Sequence, residues 1–141
     1  MANGWLLAGG ALSAIASALH VGIIIGGPDW YRFFGAGERM AQAAAKGSPM
    51  PTLMTAGIAA VLAIWAAYGL SGAGLIPRLP LLRTALVVIA TIYLLRGLVL
   101  FPALVQGNAF MIWSSVIVLV YGAAYAVGVW RAWSSLGAAQ G

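Results

Sequence analysis

Residues 81–105 read LLRTALVVIATIYLLRGLVLFPALV. The run exceeds the roughly 20 apolar residues that a helix needs to cross the hydrocarbon layer of a bilayer. Its only charges are Arg83, near its start, and Arg96, in its interior. A stretch of this length and hydropathy reads as a membrane-spanning helix, because only a helix satisfies its own backbone donors and acceptors where no water is present. Three further runs, about 5–26, 52–75 and 109–133, read the same way. Together they predict an all-α integral membrane protein, a single domain over residues 1–141. Four transmembrane helices would form an antiparallel bundle, with an amphipathic interfacial helical segment at 28–47 between helices 1 and 2.

Composition supports this class. The chain is 63% hydrophobic and 6% charged, with a mean hydropathy of +1.01, against roughly 45–50% apolar and 25% charged residues in soluble domains. The net charge of +5 does not indicate a nucleic-acid partner. Its seven cations stand at 32, 39, 46, 78, 83, 96 and 131, spread along the chain where nucleic-acid binding needs a clustered basic face. Lipid phosphates are the better-matched partners for loop arginines. Cysteine is missing, which removes disulfides and thiolate chemistry, and one histidine with two acids argues against a zinc or iron site. No metal and no cofactor are expected. The opening MANGWLLAGG lacks a positively charged n-region, so the first apolar run is read as a retained span.

The segment PDWYRFFGAGERMAQAAAKGSP, from Pro28, is the one stretch that mixes both signs of charge with aromatics. Pro28 and Asp29 suit a helix start, Lys46 and Gly47 suit a helix end, and a break is expected near Gly35 and Gly37. Trp30, Tyr31, Phe33 and Phe34 suit the headgroup level. In the first span Ser13, Ser17 and His20 share one helical face. Thr52, Thr55, Trp65 and Tyr68 mark the second span, whose GLSGAG end offers small residues for close helix packing. Pro102 is expected to kink the last turn of the third span. In the fourth, Ser114, Tyr121 and Tyr125 share a face, and Trp130 and Trp133 flank Arg131 as an interface belt.

Arg96 directs the functional reading. A guanidinium does not lose its proton, so inside a membrane it must snorkel to the boundary, meet a carboxylate or line a hydrated cavity. Asp29 and Glu38 are the only acids. Antiparallel topology puts His20, roughly 9 Å inside its span, and Arg96, roughly 13 Å inside, in the same half of the membrane. Asp29, Arg32, Glu38, Arg39, Asn108 and Trp113 belong to that side too, whereas Arg78, Arg83 and Arg131 belong to the other. Pairing of Arg96 with Asp29 or Glu38 is therefore expected, because an unpaired arginine at mid-membrane costs about 2.5–3.5 kcal/mol on insertion scales.

The reading that follows is a ligand-binding membrane protein. It would take an amphipathic or anionic small molecule or lipid into a polar pocket in one leaflet, for transport, sensing or lipid handling. His20, Asp29, Arg32, Glu38, Arg39, Tyr93, Arg96, Asn108 and Trp113 would form that site. One alternative is a membrane-embedded isomerase or hydratase acting on a lipid, with His20 and Glu38 as acid and base and Arg96 stabilising developing negative charge. Another is a structural subunit of a membrane complex. Membrane lipids, a homo-oligomer or a larger membrane assembly are the partners these classes imply. The count of cations on the two sides is tied unless Arg32 or Arg39 is engaged internally, in which case both termini are expected in the cytoplasm.

Overall fold

The computed structural model describes residues 3–34 and 38–138. All its regular elements are helices: α1 (Gly4–Gly26), α2 (Pro28–Phe33), α3 (Glu38–Ala45), α4 (Met50–Gly72), α5 (Leu82–Gly97), α6 (Leu100–Gln106), α7 (Ala109–Arg131) and α8 (Trp133–Ala138). Four segments are long and apolar enough to cross a membrane: Gly4–Gly26, Met50–Gly72, Leu82–Gln106 and Ala109–Arg131. The protein is thus a four-helix membrane bundle, with α2 and α3 as the segment between the first two spans. The break expected near Gly35 and Gly37 lies outside the described residues. Two compact units are distinguished, one of residues up to Ser13 together with Ile64 onward, the other Ala14–Ala63.

The first unit contains parts of all four spans, and small residues let their backbones approach. A methyl group on Gly69 would lie 2.7 Å from the Cα of Gly10, so α1 and α4 touch backbone to backbone there. Leu6 of α1 fills the space over Gly72 of α4 and Gly128 of α7, and the Tyr125 ring of α7 lies on Gly9. Leu94 of α5 packs on Gly122, and Leu119 of α7 packs on Gly97. Along each of the pairs α1–α4, α1–α7 and α5–α7, contacts rise in one helix as they fall in the other, so these neighbours are antiparallel. Within a bilayer such close approach replaces the hydrophobic driving force as the source of helix association, through dispersion contacts at short range.

The helical hydrogen-bond pattern of the third span is interrupted one turn before Pro102. Pro102 has no N–H for the Leu98 carbonyl, and its ring crowds that oxygen. Leu98 O accepts from Phe101 N instead, Arg96 O accepts from Val99 N, and the span divides into α5 and α6 at Leu98–Val99. The interruption therefore falls directly after Arg96 and Gly97, not in the last turn where Pro102 was expected to act.

The second unit is a helical hairpin with α2 and α3 folded into its connection. Ile23, Tyr31 and Ala41 form its buried core, with Phe34, Met40 and Ala44 packed around them. Gly27 turns the chain out of α1 at φ +79°, a left-handed conformation that suits glycine, and Pro28 starts α2. Gly47 closes α3 the same way at φ +81°, with Ser48 N–H on the Ala43 carbonyl at 3.0 Å.

Gly69 and Gly57 give a paired test of the packing. Gly69→Ala pushes a methyl into the Gly10 backbone and should cost about 1–3 kcal/mol. At Gly57 a methyl meets nothing within 4 Å, so Gly57→Ala should be neutral or should stabilise by up to about 1 kcal/mol through helix propensity. Thermal unfolding of the two variants in detergent checks this. Equal melting temperatures would contradict the backbone contact.

Candidate functional site

The polar groups of the first unit meet in a hydroxyl chain that joins all four spans. Ser13 Oγ lies 2.7 Å from the Tyr93 hydroxyl and 3.0 Å from the Tyr125 hydroxyl, and Tyr125 OH lies 2.9 Å from the main-chain oxygen of Trp65. Each hydroxyl has one proton to donate, and a carbonyl only accepts. Tyr125 must therefore donate to Trp65 O. Ser13 then donates to Tyr125, and Tyr93 donates to Ser13. The chain has one direction: α5 to α1 to α7 to α4. Glycine at 69 makes room for its end, since a Cβ there would stand 2.9 Å from the Tyr125 oxygen. The Trp65 ring meets Tyr93 edge-on at 5.0 Å, and Tyr121 meets Tyr93 at 5.4 Å.

Arg96 lies in the same unit, half-buried, at the end of α5 where the span divides into α5 and α6. Its Nη1 donates to Ser115 Oγ at 3.2 Å, and Ser115 is fully buried on α7. A guanidinium has five N–H donors, and no other acceptor is bonded to this one among the described residues. Every fully buried side-chain nitrogen and oxygen in these residues has a partner, so no Arg96 nitrogen is left both fully buried and unpartnered. Asn108 is a helix cap: its Oδ1 accepts from Met111 N at 3.1 Å at the start of α7. Trp113 is 68% exposed.

The remaining candidates belong to the second unit. Arg32 Nε and Nη2 donate to Glu38 at 2.9 and 3.0 Å, and Nη1 donates to Asp29 at 3.1 Å. Both carboxylates thus take Arg32, where the sequence suggested Arg96. The cause is proximity: Asp29 is one turn from Arg32 on α2, Glu38 opens α3, and a pair this local orders little chain. The hydrogen bond from Arg32 holds the Glu38 carboxyl below its usual range, and Glu38 in turn raises the Arg32 guanidinium. Arg39 is exposed. His20 Nδ1 donates to the Ala16 carbonyl of its own helix at 2.7 Å, and Ser17 donates to Ala59 O at 2.7 Å. Tyr31, buried, accepts from Thr55 Oγ1 at 3.3 Å. An open cavity of about 360 Å³ beside α2 is lined by Gly27, Tyr31, Gly47, Ser48 and Thr52 among others, with no charged side chain in its wall.

Of the nine candidates, then, Asp29, Arg32 and Glu38 are brought together, while Arg96 pairs with Ser115 and Tyr93 with Ser13. Ser115, Trp65 O and the role of Tyr125 are what sequence reasoning missed. It singled out Ser114, which bonds its own turn at Met111 O. The signal for Ser115 was present in the seven-residue spacing of Ser115, Gly122 and Val129, all buried on α7. Among the described residues no group of three or more His, Cys, Asp or Glu side chains could hold a metal ion. Comparison of the chain with protein-family profiles, curated proteins and solved structures gave no match.

Two measurements test this geometry. Ser13→Ala strands the buried Tyr93 hydroxyl and should cost about 1–3 kcal/mol, whereas adding Tyr93→Phe removes the stranded donor and should recover part of the loss. Chemical or thermal unfolding of the two single variants and the double variant reads the coupling, and additive losses would contradict the chain. For Glu38, a depressed folded pKa means that the Arg32 tie stabilises α2–α3 above the pKa of the unfolded carboxylate. That contribution is lost as pH falls through the lower folded value. Carboxyl carbon NMR should show Glu38 titrating below an ordinary glutamate, and Arg32→Gln should move it up. An unshifted Glu38 would contradict the pairing.

Proposed function

We propose that the protein binds an amphipathic molecule with an anionic or strongly polar head, a lipid or a lipid-like small molecule, and that Arg96 holds the head. The observation that supports this is a guanidinium inside a span whose one bonded partner among the described residues is a neutral hydroxyl. Ser115 orients the guanidinium without cancelling its charge, so the full positive charge remains available to an anion. Charge at this depth is costly unless something compensates it, which is why intramembrane arginines mark ligand or ion sites more often than structural ones. Leu95 and Leu98, beside Arg96, and Val116, beside Ser115, are exposed apolar surface suited to a tail. Arg32, spent on both carboxylates, is not part of the clamp in this reading. Transport, sensing and lipid handling all use such a step.

The reading as a structural subunit of a membrane complex draws support from one observation, the hydrogen-bonded closure of the first unit around Ser13. The isomerase or hydratase alternative has less behind it. It requires His20 and Glu38 to share a reacting proton, and each is bonded elsewhere, Glu38 to Arg32 and His20 to Ala16 O. The condition for both termini in the cytoplasm, an internal engagement of Arg32 or Arg39, is not met: Arg32 pairs with Asp29 and Glu38 at the exposed surface and Arg39 is exposed, so the cation count of the two sides stays tied.

Native mass spectrometry of the detergent-purified wild type beside Arg96→Leu tests the clamp. The expected result is a co-purifying anionic amphiphile on the wild type and its loss from the variant. Identical spectra would overturn the assignment of the head group to Arg96.

A further inference from the structure

In the second unit, Tyr31 reaches from α2 to the start of α4, where Ser48, Thr52 and Thr55 follow one another along the chain. The open cavity of about 360 Å³ lies here, between the ends of α1 and α3 and the first turn of α4. Its volume falls within the roughly 300–1,000 Å³ typical of small-molecule pockets. Ile24, Ala44 and Leu53 give it apolar wall, and Tyr31, Ser48 and Thr52 give it hydroxyl-bearing wall. Tyr31 is 2% exposed. Its oxygen accepts the Thr55 proton at 3.3 Å, and Thr55 shares a face of α4 with Thr52, three residues earlier. A phenol also has one proton of its own to donate, and no described residue accepts it. Ser48 Oγ accepts from Met50 N–H at 3.3 Å, which leaves its proton free as well, and the Thr52 hydroxyl is unbonded among the described residues.

This surplus of donors describes the occupant. Three hydroxyls with protons to give, in a wall without charged side chains, fit a molecule that accepts hydrogen bonds and carries no charge. An ionic head would surrender hydration there and gain no counter-charge. A buried donor left without an acceptor costs free energy, so the largest gain comes from an acceptor placed at the Tyr31 hydroxyl. Depth narrows the choice. Gly26 ends the first span and Met50 opens the second, so the cavity stands at the border of the hydrocarbon layer, where a glycerolipid carries its ester carbonyls. We propose that the cavity binds an uncharged glycerolipid of the diacylglycerol class, an ester carbonyl accepting the Tyr31 proton and an acyl chain leaving over the exposed Leu53. Neither Arg96 nor Ser115 takes part, so this site does not rest on the head-group clamp.

The test uses the whole chain in nanodiscs of ether-linked phosphatidylcholine, a carrier without ester carbonyls. Equal amounts of a diacylglycerol, the dialkylglycerol of the same chain lengths and the matching phosphatidic acid are added. The lipids retained on release into detergent are then counted by native mass spectrometry. Wild type should retain the diacylglycerol about fivefold over the dialkylglycerol, the worth of one hydrogen bond. Tyr31→Phe should bring that ratio to about one while the variant stays folded, since the Thr55 hydroxyl can turn to the carbonyl four residues before it. Thr52→Phe, at an exposed wall position, should lower retention of both uncharged lipids, and it locates the site even where Tyr31→Phe proves unstable. Equal retention of ester and ether by wild type would make water the acceptor and overturn the proposal without recourse to any variant. So would a ratio that survives Tyr31→Phe, or retention indifferent to Thr52→Phe. Preferred retention of phosphatidic acid would assign the cavity to a charged head and would equally overturn it.

Discussion

A hydroxyl group buried in a membrane bundle has a single proton to give and no water to fall back on. The chain from Tyr93 through Ser13 and Tyr125 to the Trp65 carbonyl obeys that constraint with no donor wasted. Because each link has one allowed direction, rotating any of the four spans about its axis breaks a bond whose loss nothing nearby repairs. Leucine on glycine would tolerate small slides of helix against helix. The hydroxyl chain does not, and it therefore sets the rotational register in which Gly9, Gly10 and Gly69 come into contact with their neighbours.

The distribution of charge follows from a scarcity of anions. Two carboxylates serve seven cations, and Arg32 engages both within a short local segment. Arg96 differs: its one bonded partner among the described residues is the Ser115 hydroxyl, a neutral acceptor that orients the guanidinium and leaves its charge in place. Anionic lipid is the abundant counter-ion in a membrane, and the proposed head-group clamp draws on that fact.

The break in helical hydrogen bonding after Gly97 shows how a local rule acts at a distance along the chain. Proline at 102 affects the carbonyl one turn before it, at Leu98, so the distortion appears where Arg96 leaves α5. The sequence identifies the residue responsible and suggests its effect too late. Asn108 differs from expectation for a related reason. An exposed polar residue at a span boundary serves as a helix cap or as a ligand donor with the same composition around it, and only the bond to Met111 N distinguishes the two.

Run length and hydropathy, properties of contiguous residues, determined the four spans, the segment at 28–47 and the membrane class of this protein. The helix start at Pro28 and the helix end at Gly47 were legible for the same reason, since helix ends are chosen by neighbours a few positions away. Which polar groups meet was decided by tertiary structure alone. Ser13 finds its partners 80 and 112 positions along the chain, and an apolar helix with polar residues on more than one face does not declare which face turns inward. The acids illustrate the limit: counting them showed that few cations would be paired, but the fold gave both to the arginine three and six residues away, because ordering a short segment costs less entropy than closing a long loop.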